Sequence, residues 1–214
     1  MLGNNMFAYC LNNPVIQSDH TGHFPGIIAL VKNIVSALES AFVVKYNVPL
    51  YDQGDYRLCW AFCQVMVEDY QSGNVRSQQE AVARARALAI AVNGERDADG
   101  KETWNRGAWP TNCLEYNENG VPIPVSGLDN ILDLYLYIKN NGPVYAYYSF
   151  NAPNPKDSRA HLVVVTGVNL FQCTVYTNNP HGIAGEQTYV EFLNGYAGGV
   201  SDGSYPYRWC YPCR

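Results

Sequence analysis

Cys59 heads the run "CWAFCQVMVEDY", six positions after Gln53. A thiol attacks a carbonyl only as the thiolate, and at neutral pH a few per cent is ionised unless the surroundings lower its pKa. The non-helical "QGDYR" gives way to an apolar run at Cys59. That change puts the thiol at a predicted helix start, where free N–H groups and the helix dipole favour an anion. The base must come from elsewhere, and the chain offers 4 histidines. His161 opens the strongly apolar "HLVVVTGV", so its ring stands at the rim of a predicted strand. Such a ring needs a third group to hold its other nitrogen. "VYTNNP" follows about one hairpin later and offers Asn178 and Asn179, which point to opposite faces if the strand continues that far. Acyl transfer also needs donors for the developing oxyanion. The side-chain amide of Gln53 and the backbone N–H of Cys59 are the candidates.

These residues resemble the papain-like cysteine peptidases. Within them the closer likeness is to the compact bacterial C39-type and AvrRpt2-like branches. The matching pieces are Gln53, "CWA" at 59–61, "HLVVVTGV" at 161–168 and "VYTNNP" at 175–180. Aligned on Pro180, Asn179 takes the orienting position, with an amide in place of the carboxylate. The likeness spans roughly residues 47–195. It implies an α+β papain-like fold and a thiol hydrolase that cleaves peptide bonds through Cys59, His161 and Asn179, with Gln53 at the oxyanion. It implies a protein or peptide substrate and no cofactor. The sequence departs from the plant enzymes in carrying Arg57 and Leu58 where they have Gly-Ser. Its Cys-to-His interval of 102 residues is shorter than their roughly 130–150. An abbreviated second half is therefore expected, and Asn178 stays a rival to Asn179, because one residue of register reverses the faces. A transglutaminase or protein deamidase would use the same thioester logic, and a catalytically inactive binding module would keep the fold alone.

The elements that must position these side chains are legible as periodicities. In "FPGIIALVKNIVSALESAFVVKY" apolar residues recur every three or four, which predicts one helix with a broad stripe. Residues 1–46 are read as an N-terminal extension, either a pro-segment or an integral helix, and 47–214 as the catalytic domain. "LCWAFCQVMVEDYQSG" predicts the helix carrying Cys59, ended by Gly73. "SQQEAVARARALAIAV" predicts another, with Ser77 and Glu80 as a capping box. "SGLDNILDLYLYIKNNG" predicts a helix capped by Ser126 with Asp129, closed by Gly142. The polar loop between them carries Trp104 and Trp109, as a substrate rim or folded back on the core. From Pro143 the period changes to short runs, "PVYAYYSF", "AHLVVVTGV", "CTVYTNN" and "QTYVEFL", which predict an antiparallel sheet. Helices first and strands last give an α+β chain.

A net charge of −5 gives no electrostatic reason to expect nucleic acid or an anionic membrane surface. No apolar run is long enough to cross a bilayer. The first residues lack the pattern of an intact signal peptide. The 7 cysteines fit one nucleophile and three disulfides, which would suit a secreted protein; several reduced, buried thiols is the competing tally. Cys63, one turn beyond Cys59, reads as core or disulfide. The closing "CYPC" has no second half to complete a zinc site, so no metal is expected.

Overall fold

A computed structural model describes residues 25–113, 118, 130–149, 160–193 and 207–212. The chain divides into two units, residues 1–41 and 42–214. Helix α1 (Pro25–Ala41) belongs to the first. It stops earlier than its apolar stripe predicts. The β-branched "VVK" that follows is strand β1 (Val43–Lys45), paired antiparallel with a later strand.

The second unit continues with α2 (Cys59–Ser72), α3 (Gln78–Asn93), α4 (Ile131–Asn141), β2 (Val144–Ser149), β3 (Ala160–Asn169), β4 (Thr174–Asn179), β5 (Ile183–Thr188), the short α5 (Tyr189–Leu193) and β6 (Tyr207–Pro212). The strands form one antiparallel sheet in the order β5-β4-β3-β2-β6, with β1 also pairing β3. β3 lies inside it, and its residues alternate between two cores. Leu162 and Val164 join Trp60, Phe62, Met66 and Leu88 of α2 and α3. Val163 and Val165 join Leu134, Tyr135 and Ile138 of α4. A bulge between Val165 and Gly167 shifts the pairing with β4, and beyond it Val168 lies on the α4 side. A strand covered on both faces reads as an unbroken apolar run, as "HLVVV" does. α2 is likewise buried almost all round, from Trp60 to Val67.

Local chemistry sets the helix ends. Ser77 and Glu80 form the reciprocal capping box expected of them. Gly73 closes α2 in the left-handed conformation at φ 68°. For α4 the predicted cap is wrong. Asn130 is the N-cap and accepts from the Asp133 N–H, whereas Ser126 and Asp129 lie outside the described residues. Of "QTYVEFL", only Gln187 and Thr188 are strand, at the end of β5, and the rest is helix. Thr188 and Glu191 exchange capping hydrogen bonds, so α5 starts at Tyr189 and buries Phe192. The strand β5 lies just before it and is mostly exposed, which is why it carries no apolar alternation.

Gly167 marks the closest backbone approach. A Cβ there would lie 2.3 Å from the carbonyl oxygen of Val44 on β1. Gly167→Ala is expected to force β1 and β3 apart and cost about 1–3 kcal/mol, read as a lowered urea midpoint at unchanged m-value.

Candidate active site

Cys59 is the first residue of α2, and it is half-buried. The N-cap, Leu58, is a buried apolar residue with no side-chain cap. A serine or aspartate there would take the free N–H groups of the first turn for itself; leucine leaves them to the thiol. Burial pushes the Cys59 thiol up, and the backbone groups of Leu162, Trp60 and Cys59 itself pull it back. The contact with Leu162 sets the sulfur beside β3, one residue from His161. The second cysteine of the helix meets the same residue from within the core: the Cys63 thiol is buried and donates to the Leu162 carbonyl at 3.3 Å.

His161 is the second residue of β3 and is 8% exposed. Its Nε2 lies 2.9 Å from Oδ1 of Asn179, the last residue of β4. The same Oδ1 accepts the backbone N–H of His181 at 3.1 Å. Because a backbone N–H can only donate, that second bond fixes which end of the amide faces the ring. The His161 nitrogen facing it is therefore the N–H, and Nδ1 keeps its lone pair. Asn179 is fully buried, at 0% exposure. Asn178 points the other way, and its Nδ2 donates to the carbonyls of Val48 and Pro49 at 2.8 and 3.2 Å. Of the two rivals, Asn179 pairs with the histidine and Asn178 ties β4 to the segment that leads to Gln53. Burial drives the His161 pKa down to about 4; the Asn179 bond raises it and His181 lowers it further.

Gln53 is 7% exposed. Its backbone N–H donates to the Pro180 carbonyl at 2.6 Å, which joins this segment to the turn after Asn179. Its side-chain Oε1 is buried without a hydrogen-bond partner among the described residues. Three contacts brace the segment on either side. Gln78 accepts the Asp52 N–H and donates to its carbonyl, as a neighbouring strand would. Tyr51 donates at 2.6 Å to buried Asp69, which also pairs with Arg76. Arg57 N–H donates to the Asn105 side chain at 2.7 Å. Gly54 makes the turn between them at φ 56°, a conformation that favours glycine.

The tryptophan loop serves this brace. Trp104 is buried against Tyr56 and under the Arg86 guanidinium, and Trp109 packs on Tyr147. Trp60 donates its indole N–H to the Arg106 carbonyl at 3.1 Å. Of the two expectations for this loop, folding back on the core is the one observed. Gln78, Asn105 and Asn178 were missed as supports of the site. Their signal in the sequence is only that of polar residues near turns.

The cysteine tally is corrected. Cys59, Cys63, Cys113 and Cys173 are thiols and form no disulfide, so three bridges among the other six cysteines do not exist. Cys63 and Cys113 fill apolar core positions, and Cys173 sits exposed in the β3–β4 turn at φ 53°. Cys10 and Cys213 lie outside the described residues. Among the described residues no group of His, Cys, Asp and Glu is arranged to hold a metal, and no helix is long and apolar enough to cross a membrane.

The arrangement is a thiol at a helix start, an imidazole whose tautomer an amide fixes, and a second amide with an unused oxygen. A family model described as papain-like cysteine protease AvrRpt2 matches residues 42–196. No curated protein matches the chain. The matched span begins where the second structural unit begins and takes in Gln53, Cys59, His161 and Asn179. The chain belongs to the AvrRpt2 family of papain-like cysteine proteases.

Proposed function

We propose that this enzyme hydrolyses peptide bonds through Cys59, His161 and Asn179, with Gln53 and the Cys59 N–H holding the oxyanion. The observation that carries the reading is the 2.9 Å bond between His161 Nε2 and Asn179 Oδ1 on the strand beside Cys59. It leaves Nδ1 as the basic nitrogen. At neutral pH the His161 ring is uncharged, since its pKa is about 4. Burial disfavours the thiolate and the imidazolium singly. Formed together by one proton transfer, they attract each other in the same poorly screened surroundings.

The thiolate adds to the substrate carbonyl, and the carbonyl oxygen takes the negative charge. His161 then gives its proton to the leaving amine, which departs and leaves a thioester on Cys59. The histidine next accepts a proton from water, the hydroxide adds to the thioester, and the acid leaves as the thiol is restored. Asn179 holds the ring through both halves without adding charge. Gln53→Ala is expected to lower kcat about 10²–10³-fold with a smaller change in KM, because the donor acts on charge that develops only in the transition state. Gln53→Glu should fare no better, since a carboxylate opposes an oxyanion.

The test is product analysis on an unstructured protein such as reduced casein. Peptide hydrolysis predicts new amino termini in step with substrate loss. Ammonia release without new termini would instead identify a transglutaminase or deamidase on this site. Neither product would leave a binding module. Protein substrates follow from the family. Secretion and a bacterial source stay open, and a pro-segment role for the N-terminal helix is tested by whether removing residues 1–41, which leaves β1 on β3, changes activity.

A further inference from the structure

His181 belongs to none of the roles assigned above, yet its ring stacks on that of His161. The ring centroids are 5.1 Å apart and the planes 17° from parallel. The stack is built by the backbone. His181 N–H is held by Asn179 Oδ1 at 3.1 Å, and the residue pairs as an isolated bridge with Asp52, beside Gln53. His181 is exposed, whereas His161 is buried beneath it. One ring thus faces solvent on one side and the buried imidazole on the other.

We propose that His181 is a positioning residue that also sets the acid limit of the enzyme: neutral, its ring covers the His161–Asn179 bond, and protonated, it opposes the imidazolium that must form on His161. The inference rests on the proposed Cys59–His161 pair. A histidine is the side chain that changes charge between about pH 5 and 8. The titratable groups that the described residues bring against this turn are His161 from β3 and Asp52 from the segment before α2. The Asp52 side chain lies 3.2–3.4 Å from where a Cβ on Gly182 would sit, and its Oδ1 accepts the Gly54 N–H at 2.8 Å.

The sign follows from which form competes with the ion pair. With His161 held near pH 4, the competitor between about pH 5 and 7 is the neutral thiol–imidazole pair. Ion-pair formation puts its positive end on His161, next to His181, and its negative end on the more distant sulfur. A proton on His181 therefore shifts the balance toward the neutral pair. Thiolate reactivity falls with pH through this window, well above the pH at which solvent protonates His161.

The test is the rate of Cys59 alkylation by iodoacetamide between pH 4.5 and 8 in the reduced full chain, followed by peptide mapping so that exposed Cys173 is counted apart. Wild type, His181→Phe and His181→Gln are compared. Phe keeps the stacked ring and Gln removes it; both remove the charge. Wild type is expected to lose reactivity below pH 7. Both variants should stay reactive to near pH 4 and label faster than wild type at pH 5, about tenfold for His181→Phe; His181→Gln, which uncovers the His161–Asn179 bond, should label more slowly than His181→Phe at every pH. Coinciding profiles in all three would overturn the role of His181 and leave the catalytic pair standing. A Cys59 that titrates in every variant only as an ordinary thiol, near pH ~8.5, would overturn the pair and this inference with it.

Discussion

Cys59→Ala is expected to lower kcat/KM by about 10⁴-fold or more and to leave the fold intact. The basis is chemical. No other group near His161 offers an electron pair that makes a thioester, and Cys63, one turn along the helix, spends its S–H on the Leu162 carbonyl inside the core. Removing the nucleophile of a triad leaves at most the residual effects of the oxyanion site and of binding. The stability change should be small, under about 1 kcal/mol, because Cys59 is half-buried and packs only at the margin of the core. Matched denaturation midpoints beside lost turnover would separate chemistry from folding. Cys59→Ser is a sharper variant: a nucleophilic atom stays on Cβ in a slightly smaller side chain, but an alkoxide is far harder to form than a thiolate, so activity should stay near the alanine level.

His161→Ala should abolish turnover to a similar degree and should also change how stability responds to acid. The His161 pKa moves from an ordinary 6.5 to about 4 on folding. The unfolded chain therefore binds the proton more tightly. Its contribution to stability is fully present above about pH 6.5 and is lost as pH falls toward 4, to a total of about 3 kcal/mol. Urea unfolding at pH 7 and pH 4 should show a smaller acid loss in the variant than in wild type, by about that amount. Equal acid losses would show that His161 is not buried as the fold requires. Because the site acts as a unit, the effects of Cys59→Ala and His161→Ala on turnover should fall far short of additive.

The candidate residues are more legible in the sequence than the scaffold that holds them. Cys59 and His161 stand out by type and position, one at a helix start and the other before an unbroken apolar strand. Between Asn178 and Asn179 the match on Pro180 favours Asn179, but the residues themselves leave both open, because the choice depends on where β4 ends and on the bulge between Val165 and Gly167. Composition does not encode that register. α2 is legible from the apolar positions Cys59, Phe62, Cys63, Met66, Val67 and Tyr70 and from its stop at Gly73, but its burial on nearly every face is not. β5 is illegible up to Gln187 because an exposed edge strand needs no apolar alternation, and "YVEFL" reads as strand because its β-branched and aromatic residues also suit a short capped helix. The supports of Gln53 were least visible. Gln78, Asn105 and Asn178 act through backbone groups far away in sequence, and only the folded chain brings those groups together.

The disulfide expectation failed for a related reason. An odd number of cysteines suggests pairing plus one nucleophile, but a buried thiol is also a good small apolar side chain. Cys63 and Cys113 are used in that way. The count of cysteines cannot distinguish the two uses, and the packing does.

The central claim is that one thiol among seven is activated by His161. Intact mass after treating the reduced native protein with an epoxysuccinyl probe tests it most directly. One adduct per chain is predicted in wild type, with none in Cys59→Ala or His161→Ala and full labelling in Cys63→Ala. An adduct of the same stoichiometry on Cys59→Ala would contradict it.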